Sequence, residues 1–332
     1  MHVRHKNDKT CHGRLFTTLT FEVANSFLFK NLKDGDDMLK IYIDGQAGTT
    51  GLALEERLEV LKKTAAIEIL KIADDLRKDE AERKRLLNDA DVVFLCLPDE
   101  AAIESVAMIS NPKTVVIDAS TAHRTHGDWV YGFPELSPTL HEAVAKAKRI
   151  SVPGCHATGF IALIDPLIKS GLIKKTDHLT CYSLTGYSGG GKQMIADYET
   201  SEKTSAAWMY ALDLNHKHLP EMKHLTGLVH DPLFVPTVVP IHKGMIVSVP
   251  LMINAKRLHE TLANHYKGSQ TVKVLDFGQA ADLHIENNVA SDEMEIYVFG
   301  HEKQAVVAAR FDNLGKGSSG AAVACMKVRF GL

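Results

Sequence analysis

One cysteine lies where the local sequence favours nucleophilic chemistry. Cys155 follows Val152-Pro153-Gly154, the end of a short predicted strand, and begins an apolar stretch of helical character. At a helix N-terminus the dipole and the unpaired backbone N–H groups favour the thiolate, which is the nucleophilic form. A buried structural cysteine is the alternative, and position alone leaves the two interpretations even. We assign the structural role to three other cysteines: Cys96, Cys181 and Cys325.

Two histidines could accept a proton from such a thiol and return it. His216 and His218 lie in a polar stretch that we predict to be a loop, and in extended backbone residues two apart point the same way. A pair of surface histidines is the alternative. The spacing also suggests a metal, but no cysteine or carboxylate ligand stands in register with it, so we predict no metal site.

A glycine-rich loop directly follows the first predicted strand and opens the first predicted helix. It contains Gly45, Gly48 and Gly51, with Thr49 and Thr50 between the last two glycines. Glycines at such a turn let a ligand approach the backbone, and exposed N–H groups at the helix start hold a pyrophosphate. A plain tight turn is the alternative. The position after a strand favours dinucleotide binding.

Polar residues also follow the fourth predicted strand. Ser120 and Arg124 should emerge at the carboxyl edge of the sheet, where ligands of open α/β sheets bind. A guanidinium suits bidentate contact with a phosphate, although an ordinary surface arginine is the alternative.

Two further glycine-rich segments end predicted strands and precede predicted helices. Residues 185–192 contain Gly189, and residues 312–320 contain Asn313 and Gly315. Each segment could deliver backbone donors to a cofactor, or could be only a flexible connection.

Short apolar runs that alternate with helical periods predict the elements that position these residues. From Lys40 the alternation is typical of a parallel sheet covered by helices, a Rossmann-type domain. Longer strand candidates after Gly154 predict a second, mixed and largely antiparallel α+β domain. The runs of the first domain are residues 41–43, 66–70, 91–97 and 114–118.

Three parts of the chain follow from this pattern. Residues 1–37 form an N-terminal extension, in which Phe16 to Phe29 carries enough apolar residues to dock as a strand or helix. Residues 38–154 with 313–332 form the dinucleotide-binding domain, since we place the last helix back against the first sheet. Residues 155–312 form the second domain.

The amino-acid composition excludes some classes of binding partner for this protein. A formal net charge of -3 provides no basic field for a nucleic acid or an anionic membrane. Five scattered cysteines fit a reducing cytoplasm, and no apolar run approaches the roughly 20 residues that span a bilayer. We therefore expect a cytoplasmic protein whose partner is a small molecule.

Taken in order, five motifs resemble those of the N-acetyl-gamma-glutamyl-phosphate reductases of arginine biosynthesis, in their short type. The resemblance covers nearly everything from Met38 to Leu332. The motifs are GQAGTTG at 45–51, DASTAHR at 118–124, PGCHATG at 153–159, HLPE at 218–221 and DNLGKGSSG at 312–320.

The resemblance implies an enzyme that uses NADPH to convert an acyl phosphate to an aldehyde. It makes Cys155 the nucleophile that forms a thioester and His218 the acid/base residue, with His216 second. It also implies NADP as the cofactor, an acyl-phosphate substrate and a homo-oligomer, either a dimer or a tetramer. In the family that it resembles, the second domain, here residues 155–312, serves catalysis and oligomerisation. Lys217 stands where relatives often have arginine, and His156 where tyrosine is usual.

Two other functions remain open. An aspartate-semialdehyde dehydrogenase shares the implied fold and chemistry but binds a substrate with a free amine. A non-catalytic dinucleotide sensor would instead use Cys155 to respond to oxidants. Phosphate-dependent oxidation of an aldehyde with NADP separates an enzyme from a sensor.

Overall fold

The computed structural model describes residues 38–200, 206–285 and 292–332. The prediction for Phe16 to Phe29 lies outside the described residues. Within them, the four predicted runs, the short strand predicted before Cys155 and one strand that was not predicted, β5, form a parallel sheet in the order β2-β1-β3-β4-β6-β5. These strands are β1 Leu39–Asp44, β2 Ile67–Leu70, β3 Val92–Leu95, β4 Val115–Asp118, β5 Val130–Tyr131 and β6 Arg149–Ser151.

Both faces of this sheet are covered, which explains why its strands have continuous apolar sequences. Every residue of β3 and β4 is buried. On one face Ile41 and Ile43 pack in a cluster with Leu54 and Leu58 of the first helix. On the opposite face Tyr42 lies in a second cluster. The flanking helices are α1 Thr49–Leu61, α2 Glu80–Asp89, α3 Asp99–Met108 and α4 Pro138–Lys146.

The second half forms a seven-stranded mixed sheet in the order β11-β12-β13-β10-β7-β9-β8. The β7/β9 and β11/β12 pairs are parallel, and the other pairs are antiparallel. The predicted fold class, a Rossmann-type sheet followed by a mixed α+β domain, is confirmed. The strands are β7 Thr180–Gly186, β8 Trp208–Met209, β9 Leu233–Val239, β10 Met245–Leu251, β11 Val272–Val274, β12 Met294–Gly300 and β13 Ala305–Phe311.

One long helix, α5 (Cys155–Lys169), packs across a face of the second sheet and is buried from His156 to Leu167. Gly159 permits the close approach, because a Cβ at this position would lie 2.5 Å from Cγ2 of Val247. The remaining helices of this half are α6 Gly191–Thr200, α7 Leu219–Thr226 and α8 Ala255–His265. The other face of the sheet leaves several apolar side chains exposed: Tyr182, Leu184, Leu233 and Val306.

The last helix, α9 (Gly320–Phe330), returns to the first sheet, as predicted from its apolar sequence. Its buried residues, including Val323 and Met326, join the cluster around Ile41, Val115 and Ile117. A π-helical turn over Gly315–Ser319 leads into it. No helix in the described part of the chain is long and apolar enough to cross a membrane.

Candidate active site

Cys155 is the first residue of α5, and Gly154 caps the helix. Glycine is required at 154, because a Cβ there would lie 2.5 Å from both Glu221 Oε1 and His218 Nε2. The loop before α9 approaches from another side, since a Cβ at Gly317 would be 2.9 Å from the Cβ of Cys155. The cysteine is thus enclosed by the start of its own helix and by two loops from distant parts of the chain.

A buried carboxylate ties these segments together. Glu221 is 1% exposed and accepts hydrogen bonds from Arg124 Nη1 at 2.7 Å, the Tyr131 hydroxyl at 2.8 Å and the Gly154 backbone N–H at 3.0 Å. A charge buried this deeply is stable only when it is paired and hydrogen-bonded, as it is here. Glu221 therefore fixes the start of α5, and with it the position of Cys155.

The backbone around His216 and His218 is not extended. The prediction that an extended backbone points both side chains the same way is therefore wrong. His218 has helical backbone angles (φ -90°, ψ -9°) and immediately precedes α7, whose first turn contains Pro220. Nδ1 of His216 accepts a hydrogen bond from the backbone N–H of His218 at 3.1 Å. The resulting turn brings the two rings to 4.7 Å between centroids.

Cys155, His156 and His218 form a close cluster. The sulfur and one nitrogen of each ring lie within 4.8 Å of one another. His156 is held by hydrogen bonds of 2.7 Å with Ser183 Oγ and with the Tyr210 hydroxyl. Nδ1 of His218 is buried and has no hydrogen-bond partner among the described residues. A thiol, a fixed imidazole and a second imidazole with a free nitrogen can together move a proton.

This cluster also has the composition of a metal site. Sulfur and two imidazole nitrogens suit a soft divalent cation such as Zn²⁺. The sequence predicted no metal on the basis of His216 and His218 alone. The structure shows that His156, rather than His216, completes the possible ligand set.

Electrostatics at the site favour neutral side chains. Burial raises the pKa of the Cys155 thiol, and Arg124 and the backbone N–H of His156 oppose this effect only in part. The predicted stabilisation of the thiolate by the helix N-terminus is therefore outweighed by desolvation. Burial lowers the pKa of His218 well below its usual value, that of His216 to about 4, and that of His156 to about 3. The thiol needs a base to become nucleophilic, and a neutral His218 can act as one.

A cavity of about 370 Å³ opens onto Cys155. Most of the predicted site residues meet there, although they come from six separate segments. Those that line it are Thr49, Thr50, Arg124, Cys155, Gly189, His216, His218 and Asn313.

The other predicted residues lie elsewhere. Gly45 and Gly48 line a second cavity of about 340 Å³. Gly51 packs against the same loop, where a Cβ would be 2.5 Å from the Gly45 carbonyl oxygen. Ser120 and Gly315 line neither cavity. The Ser120 hydroxyl donates to Asp118 at 2.6 Å, and Gly315 is buried in the π-helical turn.

Arg124 is only partly available to a ligand. Its Nε donates to the Val152 carbonyl at 2.9 Å, its Nη2 to the Ala119 carbonyl at 3.0 Å, and its Nη1 to Glu221. A guanidinium carries five N–H groups, so two remain for the cavity that Arg124 lines.

Sequence reasoning missed Tyr210 and Ser183, which hold His156, and Tyr131, which binds Glu221. Tyr210 comes after the short strand β8, and Ser183 lies within β7, where the local pattern indicates only a strand. No signal in the sequence pointed to them, because their role depends on which segments meet in space.

Comparisons with known proteins agree on the type of protein. A family model described as the NAD binding domain of semialdehyde dehydrogenase matches residues 50–144, and one described as its dimerisation domain matches residues 155–313. N-acetyl-gamma-glutamyl-phosphate reductase 2 of Nostoc sp. is 40% identical over 317 residues, covering 88% of this chain and 97% of that protein. N-acetyl-gamma-glutamyl-phosphate reductase of Chelativorans sp. is 44% identical over 299 residues, covering 86% and 96%.

Solved structures of aspartate semialdehyde dehydrogenases share the fold. The Vibrio cholerae enzyme II, complexed with ASA, has a TM-score of 0.67 at 14% identity and covers 88% of this chain and 98% of its own. The Candida albicans enzyme with NADP has a TM-score of 0.61 at 15% identity and the same coverage. At these identities the likeness concerns the fold alone.

Proposed function

Because the chain belongs to the N-acetyl-gamma-glutamyl-phosphate reductase family of semialdehyde dehydrogenases, we propose that it reduces N-acetyl-L-glutamyl 5-phosphate with NADPH to N-acetyl-L-glutamate 5-semialdehyde, a step of arginine biosynthesis. The observation that carries the proposal is the cluster of Cys155 and His218 within 4.8 Å, facing a cavity that the dinucleotide loop also lines.

In the proposed mechanism the neutral His218 accepts the proton of the Cys155 thiol. The sulfur attacks the acyl carbonyl, the carbon–oxygen bond to phosphate breaks, and a thioester forms on Cys155. NADPH, when bound, supplies the hydride that reduces this thioester. His218 returns a proton to the resulting oxyanion, and the carbon–sulfur bond breaks to release the aldehyde and the thiol. His216 takes a secondary role beside His218.

The other predicted residues receive binding roles in this proposal. Gly45, Gly48 and Gly51 shape the loop that holds the cofactor pyrophosphate, and Thr49 and Thr50 follow it into the active-site cavity. Gly189 and Asn313, which line the same cavity, are assigned to the nicotinamide end, together with Gly315 of the π-helical turn. Arg124 contacts the leaving phosphate, while Ser120, bonded to Asp118, supports the loop that carries it.

The charges around the cavity support an acetamide substrate over one with a free amine. Among the described residues that line it, Arg124 and Lys217 are cationic and none is an aspartate or a glutamate. The nearby Glu221 already accepts bonds from three donors. An ammonium group placed here would lose its hydration without gaining a carboxylate partner, at a cost of several kcal/mol.

The test compares two aldehydes with phosphate and NADP as co-substrates. We expect kcat/KM for N-acetylglutamate 5-semialdehyde to exceed that for aspartate semialdehyde. The extra methylene accounts for only about 1–3 kcal/mol, so a larger difference reflects the amine. Equal or better use of aspartate semialdehyde would refute the substrate assignment while leaving the cysteine chemistry intact.

The thioester step has its own test. Cys155→Ser should abolish turnover but retain NADPH binding, because a neutral hydroxyl is a much poorer nucleophile than a thiolate. Cys181→Ser is the matched control, since Cys181 is buried in the core of the second half. Appreciable turnover in Cys155→Ser would exclude the thioester. A wild-type protein that binds NADPH but oxidises neither aldehyde would favour the dinucleotide sensor.

We further propose that residues 38–154 with 313–332 and residues 155–312 act as the dinucleotide-binding and catalytic domains, and that the protein is a cytoplasmic dimer or tetramer. The open face of the second sheet, with Tyr182 and Val306 exposed, supports a contact between copies. The described cysteines are all free, which fits a reducing compartment. Sedimentation of the purified protein tests the assembly state.

A further inference from the structure

The second cavity, of about 340 Å³, lies on the strand side of the glycine-rich loop. Gly45 to Gly48 form one wall, and residues at the carboxyl ends of β1 and β3 and just after β2 form the others. In a sheet of this kind the second strand ends beside the adenosine ribose of a bound dinucleotide. The cavity therefore has the position of an adenosine site, separate from the cavity around Cys155.

The one carboxylate among the described residues that line this cavity is Asp44, and it is not available to a ribose hydroxyl. Asp44 is 4% exposed and is bound by Arg83 Nη2 at 2.8 Å and by the Ser105 hydroxyl at 2.7 Å. An acidic residue that accepts the ribose 2′-hydroxyl is the feature that favours NAD in such domains. That acid stands near the end of the second strand, whereas Asp44 ends the first strand and is paired with Arg83. The acids that follow β2, Asp74 and Asp75, do not line the cavity.

Two cations, in contrast, line the mouth of the cavity. Arg77 and Lys78 follow the short 3₁₀ turn Asp74–Leu76, and both side chains are exposed. Arg77 contacts Asp74 at 2.5 Å, but the Asp74 side chain is 86% exposed, and water screens an exposed pair of this kind so that it is weak. No ion pair joins Lys78 to a described residue. Both cations can therefore turn to a ligand.

We infer that Arg77 and Lys78 bind the 2′-phosphate of NADPH and give this chain its preference over NADH. The inference rests on the proposed function for the identity of the cofactor. A phosphate monoester carries nearly two negative charges, and a guanidinium binds it through two parallel hydrogen bonds while an ammonium adds a point charge. NADH offers these cations no partner.

The test measures binding of two cofactor fragments to the full chain by calorimetry. The fragments are 2′,5′-ADP and 5′-AMP, which differ only in the 2′-phosphate. We expect wild type to prefer 2′,5′-ADP. Arg77→Gln and Lys78→Gln should each weaken its binding about tenfold, and the double variant about 100-fold, which corresponds to about 1.4 kcal/mol for each charge-assisted contact. Binding of 5′-AMP should not change.

Two further variants sharpen the result. Lys71→Gln is the matched control, because Lys71 is an exposed lysine just after β2 that pairs with Glu55 and does not line the cavity. It should leave both affinities unchanged. Asp74→Asn releases Arg77 and should tighten 2′,5′-ADP binding about two- to fivefold, within the energy of an exposed pair.

Unchanged binding of 2′,5′-ADP in the double variant would overturn the assignment, as would an equal loss for 5′-AMP. Neither measurement depends on turnover. If the fragments behave as expected but the semialdehyde is not oxidised, the proposed reaction fails and the assignment of Arg77 and Lys78 stands.

Discussion

Replacing Glu221 with glutamine tests how the active site is held together. The side chain keeps its shape, but its amide NH₂ would replace a carboxylate oxygen and face donors: either Arg124, or both the Gly154 N–H and the Tyr131 hydroxyl. Arg124, whose side chain is 8% exposed, would lose its counter-charge. Breaking a buried ion pair by removing one partner costs about 3–5 kcal/mol, so we expect the free energy of unfolding to fall by this amount.

The same change should also alter the pKa of the Cys155 thiol, in the direction that favours the thiolate. Burial raises the pKa of Cys155, the negative charge of Glu221 adds to this, and Arg124 opposes it. Glu221→Gln removes a charge that disfavours the thiolate while Arg124 stays in place, so the pKa of Cys155 should fall. Turnover should nevertheless drop by about 10²-fold, because small displacements of reacting groups carry such a penalty.

Chemical denaturation and the pH dependence of iodoacetamide alkylation measure the two effects. The control is Glu142→Gln, since Glu142 pairs with Lys146 on the exposed surface and its loss should leave stability almost unchanged. A Glu221→Gln protein as stable as that control would refute the role of the buried carboxylate. An alkylation profile displaced to higher pH would refute the electrostatic argument.

Three other predictions concern the histidines and the packing. His218→Asn should lower turnover about 10²- to 10⁴-fold, with a smaller loss for His216→Asn, and steady-state rates in the reverse order would exchange their roles. His156 and His218 are held neutral because burial lowers the pKa of each, so the unfolded chain takes up protons that the folded chain does not as pH falls below about 6.5. Between pH of about 7.5 and 5.5 urea denaturation should therefore show a loss of about 3 kcal/mol, and constant stability over that range would contradict the burial of two neutral rings. Gly159→Ala should destabilise the protein by about 1–3 kcal/mol through contact with the second sheet, whereas Gly127→Ala, with nothing within 4 Å, should have almost no effect. Equal melting temperatures for these two variants would show that α5 can shift to make room.

The sequence allowed the parallel sheet to be predicted because its strands are buried on both faces. A run such as Val92–Leu95 has no polar position, and turn residues bound it on either side. The helix α7, in contrast, was not predicted, because its sequence pattern is too short to recognise. It has eight residues, too few for a helical period to stand out, and the Pro220 that marks its first turn was taken as part of a loop.

In the active site, too, the features that depend on local sequence were predicted, and those that depend on tertiary contacts were not. The position of Cys155 at the start of a helix is a local property and was predicted. The link between Arg124 and Glu221 joins residues 97 positions apart in the chain, and no period connects them. The direction of the Cys155 pKa shift depends on desolvation by surrounding segments, so a local argument from the helix dipole gave the wrong sign.

The position of α9 governs when the first sheet can finish folding during synthesis. Its eleven residues are made after both sheets, yet they complete the core around the strands of the first sheet, which are made much earlier. Until they emerge, one face of the nascent sheet lacks its apolar cover and presents a surface that chaperones or other unfinished chains can bind. A premature stop codon before Gly320 should therefore yield an insoluble chain, although it would spare every proposed catalytic residue.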